Sequence, residues 1–209
     1  MMDPAARAWR VRERERLKRD RDALSSVDRA FLTDAISRNL DFIFDRRPPG
    51  VLGLYWPIKG EFDLRQWAQR LSARKQWSMA LPVIVERNAP LEYWRWQPDD
   101  PMARGFWGIM VPERREPATP DVVIAPLVGF WDTYRLGHGG GYFDRTLAAL
   151  RPRPLAIGIG TDTCRVDGYS PQPHDIPMDV IVTEAAIHRR GVAEPVALAN
   201  SGETPGGPA

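Results

Sequence analysis

Residues 126–150 read PLVGFWDTYRLGHGGGYFDRTLAAL. Overlapping its start, Val122 to Phe130 (VVIAPLVGF) is a short continuous apolar run, the pattern of a central strand covered on both faces. Gly137, Gly139, Gly140 and Gly141 follow, and Tyr142, Phe143, Leu147 and Leu150 then recur at helical spacing. A buried strand that passes through a glycine turn into a helix start is the architecture of a phosphate site. Glycines let the backbone approach an anion, and the free amides of the turn and helix start direct partial positive charge at it. Arg135 ahead of the loop suits a bidentate grip on phosphate, and Asp144 behind it suits the accompanying metal ion. The standard fingerprints fail here. A Walker loop ends in Gly-Lys-Ser/Thr where this chain has Tyr142 and Phe143, and a GxGxxG begun at Gly137 meets Tyr142 at its third glycine. Taken alone, the glycine cluster also fits a tight surface turn.

Outward from this stretch the chain alternates helices and strands. Residues 1–22 form a basic helical segment, and Ser25 with Asp28 resembles a capping box before a helix with Phe31, Leu32, Ala35, Ile36, Leu40 and Ile43 inward. RRPPG ends that helix, Val51 to Trp56 reads as a strand stopped by Pro57, and Asp63 caps a helix to about Arg74. Met79 to Val85 and Leu91 to Trp96 read as a strand pair turning near Arg87 to Pro90, and Leu155 to Ile159 and Val180 to Thr183 complete the sheet. Pro98 to Pro120 is a long, proline-punctuated connection without periodicity, the kind that serves function more often than not. The expected architecture is one Rossmann-like, three-layer α/β domain over residues 1–194, with a mainly parallel sheet and a disordered Gly/Pro/Ser-rich tail over 195–209.

The 209 residues suffice for one α/β domain with a sizeable core. No run of eighteen apolar residues exists and the N-terminus lacks an apolar signal stretch, so no membrane role is expected and the setting is read as cytoplasmic. A single cysteine, Cys164, excludes an internal disulfide, and His138, His174 and His188 are too scattered to suggest zinc. Net charge is +2, but residues 1–22 hold eight Arg or Lys against five acids. Such a helix is commonly a solvated face with i,i+4 pairs, of which Glu15 with Arg19 is an example. Arg10 and Arg14 lie four apart, however, and share a face from which both can reach one polyphosphate.

Four other residues carry chemistry. Glu61 in PIKGE follows a strand end, where Pro57 stops the strand and Gly60 permits a sharp turn that delivers a carboxylate at the rim. Trp107 sits in the irregular FWGI segment, suited to core packing or to an aromatic lid. His174 and Asp175 precede a proline and the last strand, where a local turn is the plain reading.

The string RLGHGGGYFDRTL resembles the signature of the 5-formyltetrahydrofolate cyclo-ligase family, roughly Arg-Leu-Gly-x-Gly-x-Gly-Tyr-Tyr-Asp. The resemblance runs from about Arg10 to Glu184 through the basic pair Arg10 and Arg14, Pro57 to Glu61, Trp107 to Ile109, and PQPHDIPMDVIVTE from Pro171. Phe143 stands where the family commonly has a second tyrosine, and Cys164 where it commonly has glutamine. The resemblance implies ATP-dependent, Mg²⁺-dependent closure of 5-formyltetrahydrofolate to 5,10-methenyltetrahydrofolate with release of ADP and phosphate. It implies ATP contacts at Arg10, Arg14, Arg135, Gly137, His138, Gly139, Gly140, Gly141, Tyr142, Phe143 and Asp144, with Arg135 and Tyr142 at the reacting centre. It further implies a reduced folate held by Glu61, Trp107 and Tyr142, and a metal at Asp144 and Asp175. Oligomeric state is open. Two other readings stand beside it: a nucleotide- or folate-binding protein without turnover, and a nucleic-acid binder, for which the basic segment is too short to give a broad basic face.

Overall fold

Helix α1 (Pro4–Asp22) begins at Asp3, whose carboxylate caps the amides of Ala5 and Ala6, with Pro4 in the first helical position. The computed structural model describes residues 3–192 and 196–197. Only Arg10 and Leu17 of α1 are buried, so this helix contributes little apolar surface to the core. Arg16 bridges Glu13 and Asp20, in place of the expected pairing of Glu15 with Arg19. Helix α2 (Ser26–Phe44) starts at Ser25, whose hydroxyl accepts from the Asp28 amide. Its buried stripe holds Ala35, Ile36, Leu40, Ile43 and Phe44. Phe31 is exposed and Leu32 packs inward instead, because the stripe facing the sheet begins one residue later than the apolar pattern does.

Strand β1 (Val51–Gly53) leads through the turn at residues 58–61 to α3 (Arg65–Lys75). The N-cap of α3 is Leu64, and the Asp63 carboxylate, one residue earlier, accepts the Arg65 amide and guanidinium. Strands β2 (Ser78–Val83) and β3 (Glu92–Arg95) pair antiparallel, as the sequence pattern predicts. The connection from 98 to 120 contains a hairpin, β4 (Met102–Arg104) and β5 (Met110–Pro112), around a tight turn at Phe106–Gly108. Three-residue strands are too short to show an alternation, which is why the sequence gives no sign of them.

Strand β6 (Val122–Pro126) is buried along its whole length. The apolar run does not continue as one strand to Phe130. The sheet strand ends at Pro126, and β7 (Gly129–Trp131) turns away to pair with β8 (Tyr134–Leu136). Hydrophobicity marks burial here, and the change of direction leaves it unaltered. Helix α4 (Tyr142–Ala149), β9 (Leu155–Ile159), β10 (Val180–Val182), β11 (Ala186–Arg189) and β12 (Val196–Ala197) follow. Beyond Val196 and Ala197, the expected disordered tail lies outside the described residues.

The sheet order is β12-β11-β10-β9-β6-β1-β2-β3. The five strands from β10 to β2 run parallel, and β3, β11 and β12 add antiparallel edges. Period-two alternation divides β6 between two core layers. Val122 and Ile124 join a cluster with Ile36, Leu40, Phe44, Trp67 and Leu71 from α2 and α3, while Val123 and Ala125 join one with Leu17 of α1 and Leu147 of α4. Each fully buried Leu or Ile contributes about 1.5–3 kcal/mol by removal from water. The chain leaves β1 toward β2 on one side and β6 toward β9 on the other, so the winding reverses between β1 and β6. Ligands of open α/β sheets bind outside the carboxyl ends of the strands at such a reversal. Among the described residues no helix is long and apolar enough to cross a membrane.

Candidate active site

The carboxyl ends of β1 and β6 open into a cleft of about 600 Å³. Its walls include Arg10, Arg14 and Lys18 of α1, the 58–61 turn, Trp107, the 137–141 loop and the first turn of α4, with Asp175 at one end. Every residue that the sequence nominates as a site residue lines this one cleft.

The loop owes its shape to two left-handed residues, Gly139 (φ 102°) and Gly141 (φ 66°), the latter serving as N-cap of α4. Among the described residues no side chain caps this helix, so its first amides are open to an incoming anion. Arg14 Nε donates to the Gly137 carbonyl at 2.7 Å and Arg145 to the Gly140 carbonyl at 2.7 Å, which fixes the loop from both sides. Positive charge gathers beside it. Burial pushes the Arg14 guanidinium below its ordinary value, and Arg10 and Arg135 act in the same direction. Burial likewise lowers Lys18, with Lys59, Arg14 and Arg21 adding repulsion. Arg14, Lys18 and Lys59 form no ion pair with a carboxylate among the described residues, and such unmatched cations are the electrostatic complement of a polyphosphate.

Arg135 and Asp144 flank the loop as the sequence arranges them, and the fold joins them directly. Arg135 Nη2 donates to Asp144 Oδ2 at 2.9 Å, and the guanidinium lies 5.1 Å from the Phe143 ring centroid. Asp144 Oδ1 receives only a long bond, 3.3 Å, from the Ile176 amide. Asp175 is more fully committed. It accepts both Nη groups of Arg10, the Tyr169 hydroxyl at 3.1 Å and the Gln172 amide at 2.7 Å. Burial pushes the Asp175 carboxyl up, but Arg10, the Gln172 amide and Tyr169 together hold it below the ordinary value. Arg10 is thus occupied by a carboxylate, and Asp175 by a guanidinium; the sequence suggests phosphate for the one and metal for the other.

Glu61 is delivered by a turn in which Lys59 (φ 46°) and Gly60 (φ 75°) are left-handed and the Glu61 amide donates to the Ile58 carbonyl at 3.0 Å. The carboxylate is buried, accepting the Ile58 amide at 2.9 Å and His138 Nε2 at 2.8 Å. Trp107 stands at the tip of the β4–β5 hairpin with φ 56°, a left-handed conformation that a bulky residue rarely adopts. It is 69% exposed and meets Tyr142 edge-on at 5.7 Å, so the apolar ring is held over the cleft instead of in the core. Lys18, Tyr55 and Lys59 also line the cleft, and the sequence reading passes over them. Lys18 had a signal, since it continues the Arg10 and Arg14 spacing by one more turn.

The sequence profile of the 5-formyltetrahydrofolate cyclo-ligase family matches residues 6–184. A 5-formyltetrahydrofolate cyclo-ligase of Mycoplasma pneumoniae is 27% identical over 173 residues, covering 82% of this chain and 96% of its own. One from Haemophilus influenzae is 25% identical over 178 residues, covering 81% and 95%. The solution structure of Aquifex aeolicus 5,10-methenyltetrahydrofolate synthetase superposes with a TM-score of 0.74 at 27% identity, over 93% of this chain and 99% of that one. The Mycoplasma pneumoniae synthetase structure superposes at 0.68 and 25% identity, over 84% and 98%. With a profile that spans residues 6–184 and a solved relative that superposes over nearly all of it, this chain belongs to the 5-formyltetrahydrofolate cyclo-ligase family.

Proposed function

We infer that this chain catalyses the ATP-dependent ring closure of 5-formyltetrahydrofolate to 5,10-methenyltetrahydrofolate, releasing ADP and phosphate. The observation that carries this reading is the single cleft in which an uncapped helix start and a cationic wall stand beside a fixed, buried carboxylate. The formyl oxygen is a poor leaving group. Its attack on the γ-phosphorus expels ADP, the neighbouring folate nitrogen then bonds to the formyl carbon and gives up its proton to water or the departing phosphate, and phosphate leaves with the oxygen. Such chemistry asks for in-line positioning and charge neutralisation more than for a proton-transfer pair.

We assign the triphosphate to the amides of 137–142 with Arg14 and Arg135, and the pterin edge to Glu61, whose carboxylate suits adjacent N–H donors. Trp107 and Tyr142 cover the junction of the two ligands. A hard cation that bridges phosphates takes one or two carboxylates and keeps its waters. Asp144 fits that requirement because Oδ1 retains acceptor capacity, whereas Asp175 can join only by releasing Arg10. Mg²⁺ would supply neutralisation of phosphate charge there. We assign Asp175 first to holding Arg10, and so α1, against the cleft.

Appearance of methenyl-folate absorbance with purified protein, ATP, Mg²⁺ and 5-formyltetrahydrofolate tests the reaction. Binding without turnover would identify a ligand-holding protein instead. Glu61→Gln separates the two ligands. Losing a charge-assisted hydrogen bond costs about 1.5–3 kcal/mol, so folate affinity should fall roughly tenfold or more. Nucleotide affinity, measured by titration calorimetry, should hold; equal weakening of both would point to a damaged fold.

A further inference from the structure

We propose that His138 is a positioning residue for the folate, acting through Glu61, although it lies in the nucleotide loop. The inference rests on the reading of Glu61 as the partner of the pterin edge. A carboxylate whose side chain is only 3% exposed needs hydrogen-bond donors in place of the water it has lost. Glu61 has two, the Ile58 amide at 2.9 Å and His138 Nε2 at 2.8 Å, and among the described residues no arginine or lysine forms an ion pair with it. A carboxylate accepts, so the bond at 2.8 Å calls for the imidazole tautomer with its hydrogen on Nε2. The imidazole is itself held from behind. Arg14 fixes the Gly137 carbonyl at 2.7 Å, and the left-handed Gly139 turns the chain away just after it. Among the described residues His138 is therefore the side chain that fixes which way the Glu61 oxygens face, and it leaves their remaining lone pairs for the substrate.

Titration calorimetry on the full chain with 5-formyltetrahydrofolate, and separately with a non-hydrolysable ATP analogue and Mg²⁺, tests this. His138→Leu should weaken folate binding by roughly tenfold or more and leave nucleotide affinity within about threefold. His138→Gln, whose amide nitrogen reaches to the place of Nε2, should restore folate binding to within about threefold of the parent. His138→Asn, equally polar but too short, should behave as the Leu variant. The double variant Glu61→Gln/His138→Leu should bind folate no more weakly than Glu61→Gln alone. Folate binding that is unchanged or tighter in His138→Leu while Glu61→Gln weakens it would overturn the proposal alone, as would a loss confined to the nucleotide. Unchanged folate binding in Glu61→Gln would remove the pterin assignment and the proposal together. The Gln and Asn pair, of like polarity, keeps the comparison decisive if the Leu variant folds poorly.

Discussion

Arg135→Ala should weaken ATP binding about ten- to a hundredfold at every Mg²⁺ concentration, the scale of a lost charge-assisted, two-pronged contact. The guanidinium is buried, lies against the Phe143 ring and pairs with Asp144, so it is held beside the glycine loop before any phosphate arrives. Such preorganisation means that binding need not spend side-chain entropy to order it. Asp144→Asn should look different. It keeps the shape of the loop and a weaker bond to Arg135, but removes the charge a metal would use. The Mg²⁺ requirement should therefore rise and turnover fall more than nucleotide affinity, because the metal matters most as charge shifts in phosphoryl transfer. Titration calorimetry for the first variant and Mg²⁺-dependent steady-state rates for the second distinguish the roles. Normal turnover of Asp144→Asn at limiting Mg²⁺ would reduce that carboxylate to an anchor for Arg135. A lowered melting temperature with unchanged ATP affinity in Arg135→Ala would make the pair purely structural.

How much of this was legible in the sequence depended on whether a feature is local. The β6 run, the glycine loop and the α4 start are contiguous, and their apolar spacing and glycines carry the conformation directly. The delivery of Glu61 was legible for the same reason, since Pro57 and Gly60 lie beside it. What could not be read were pairings across the chain. Arg10 meets Asp175 at a separation of 165 residues, and His138 meets Glu61 at 77. Periodicity assigns a residue to a face but does not say which opposite charge waits there. Hence Arg10 looked like a phosphate ligand and Asp175 like a metal ligand, each judged without its partner. The hairpin that carries Trp107 was hidden by the shortness of its strands, and the bend after Pro126 by the unbroken apolar run around it.

The Arg10–Asp175 pairing also carries a stability effect. Helix α1 buries little apolar surface, so its attachment falls to Leu17, to the Trp9 ring edge-on to Tyr169 at 5.9 Å, to the Arg14 bond with the Gly137 carbonyl, and to this ion pair. Arg10 additionally lies 4.7 Å from the Tyr169 ring centroid. Removing one member of a buried pair leaves the other uncompensated. Asp175→Ala should cost about 3 kcal/mol, the low end of that class because the pair borders an open cleft, and lower the melting temperature by roughly 6–12 °C. Hydrogen exchange should accelerate over residues 4–22 before it does so in the sheet. The pH dependence has a fixed sign. Asp175 is held below its ordinary value in the folded state, so its contribution is complete above the unfolded carboxyl pKa, near about 3.9, and is lost as pH falls through the lower folded value. Between pH 5 and 8 the gap between parent and variant should be constant, and it should close in stronger acid. A gap that grows on acidification, or an unaltered melting temperature at neutral pH, would mean that the ion pair does not hold α1 in place. Because Arg14 and Lys18 ride on the same helix, and Arg14 holds the Gly137 carbonyl, loosening it should also weaken ATP binding. Arg10 and Asp175 would then serve the nucleotide through the helix they secure, whichever atoms the phosphates finally meet.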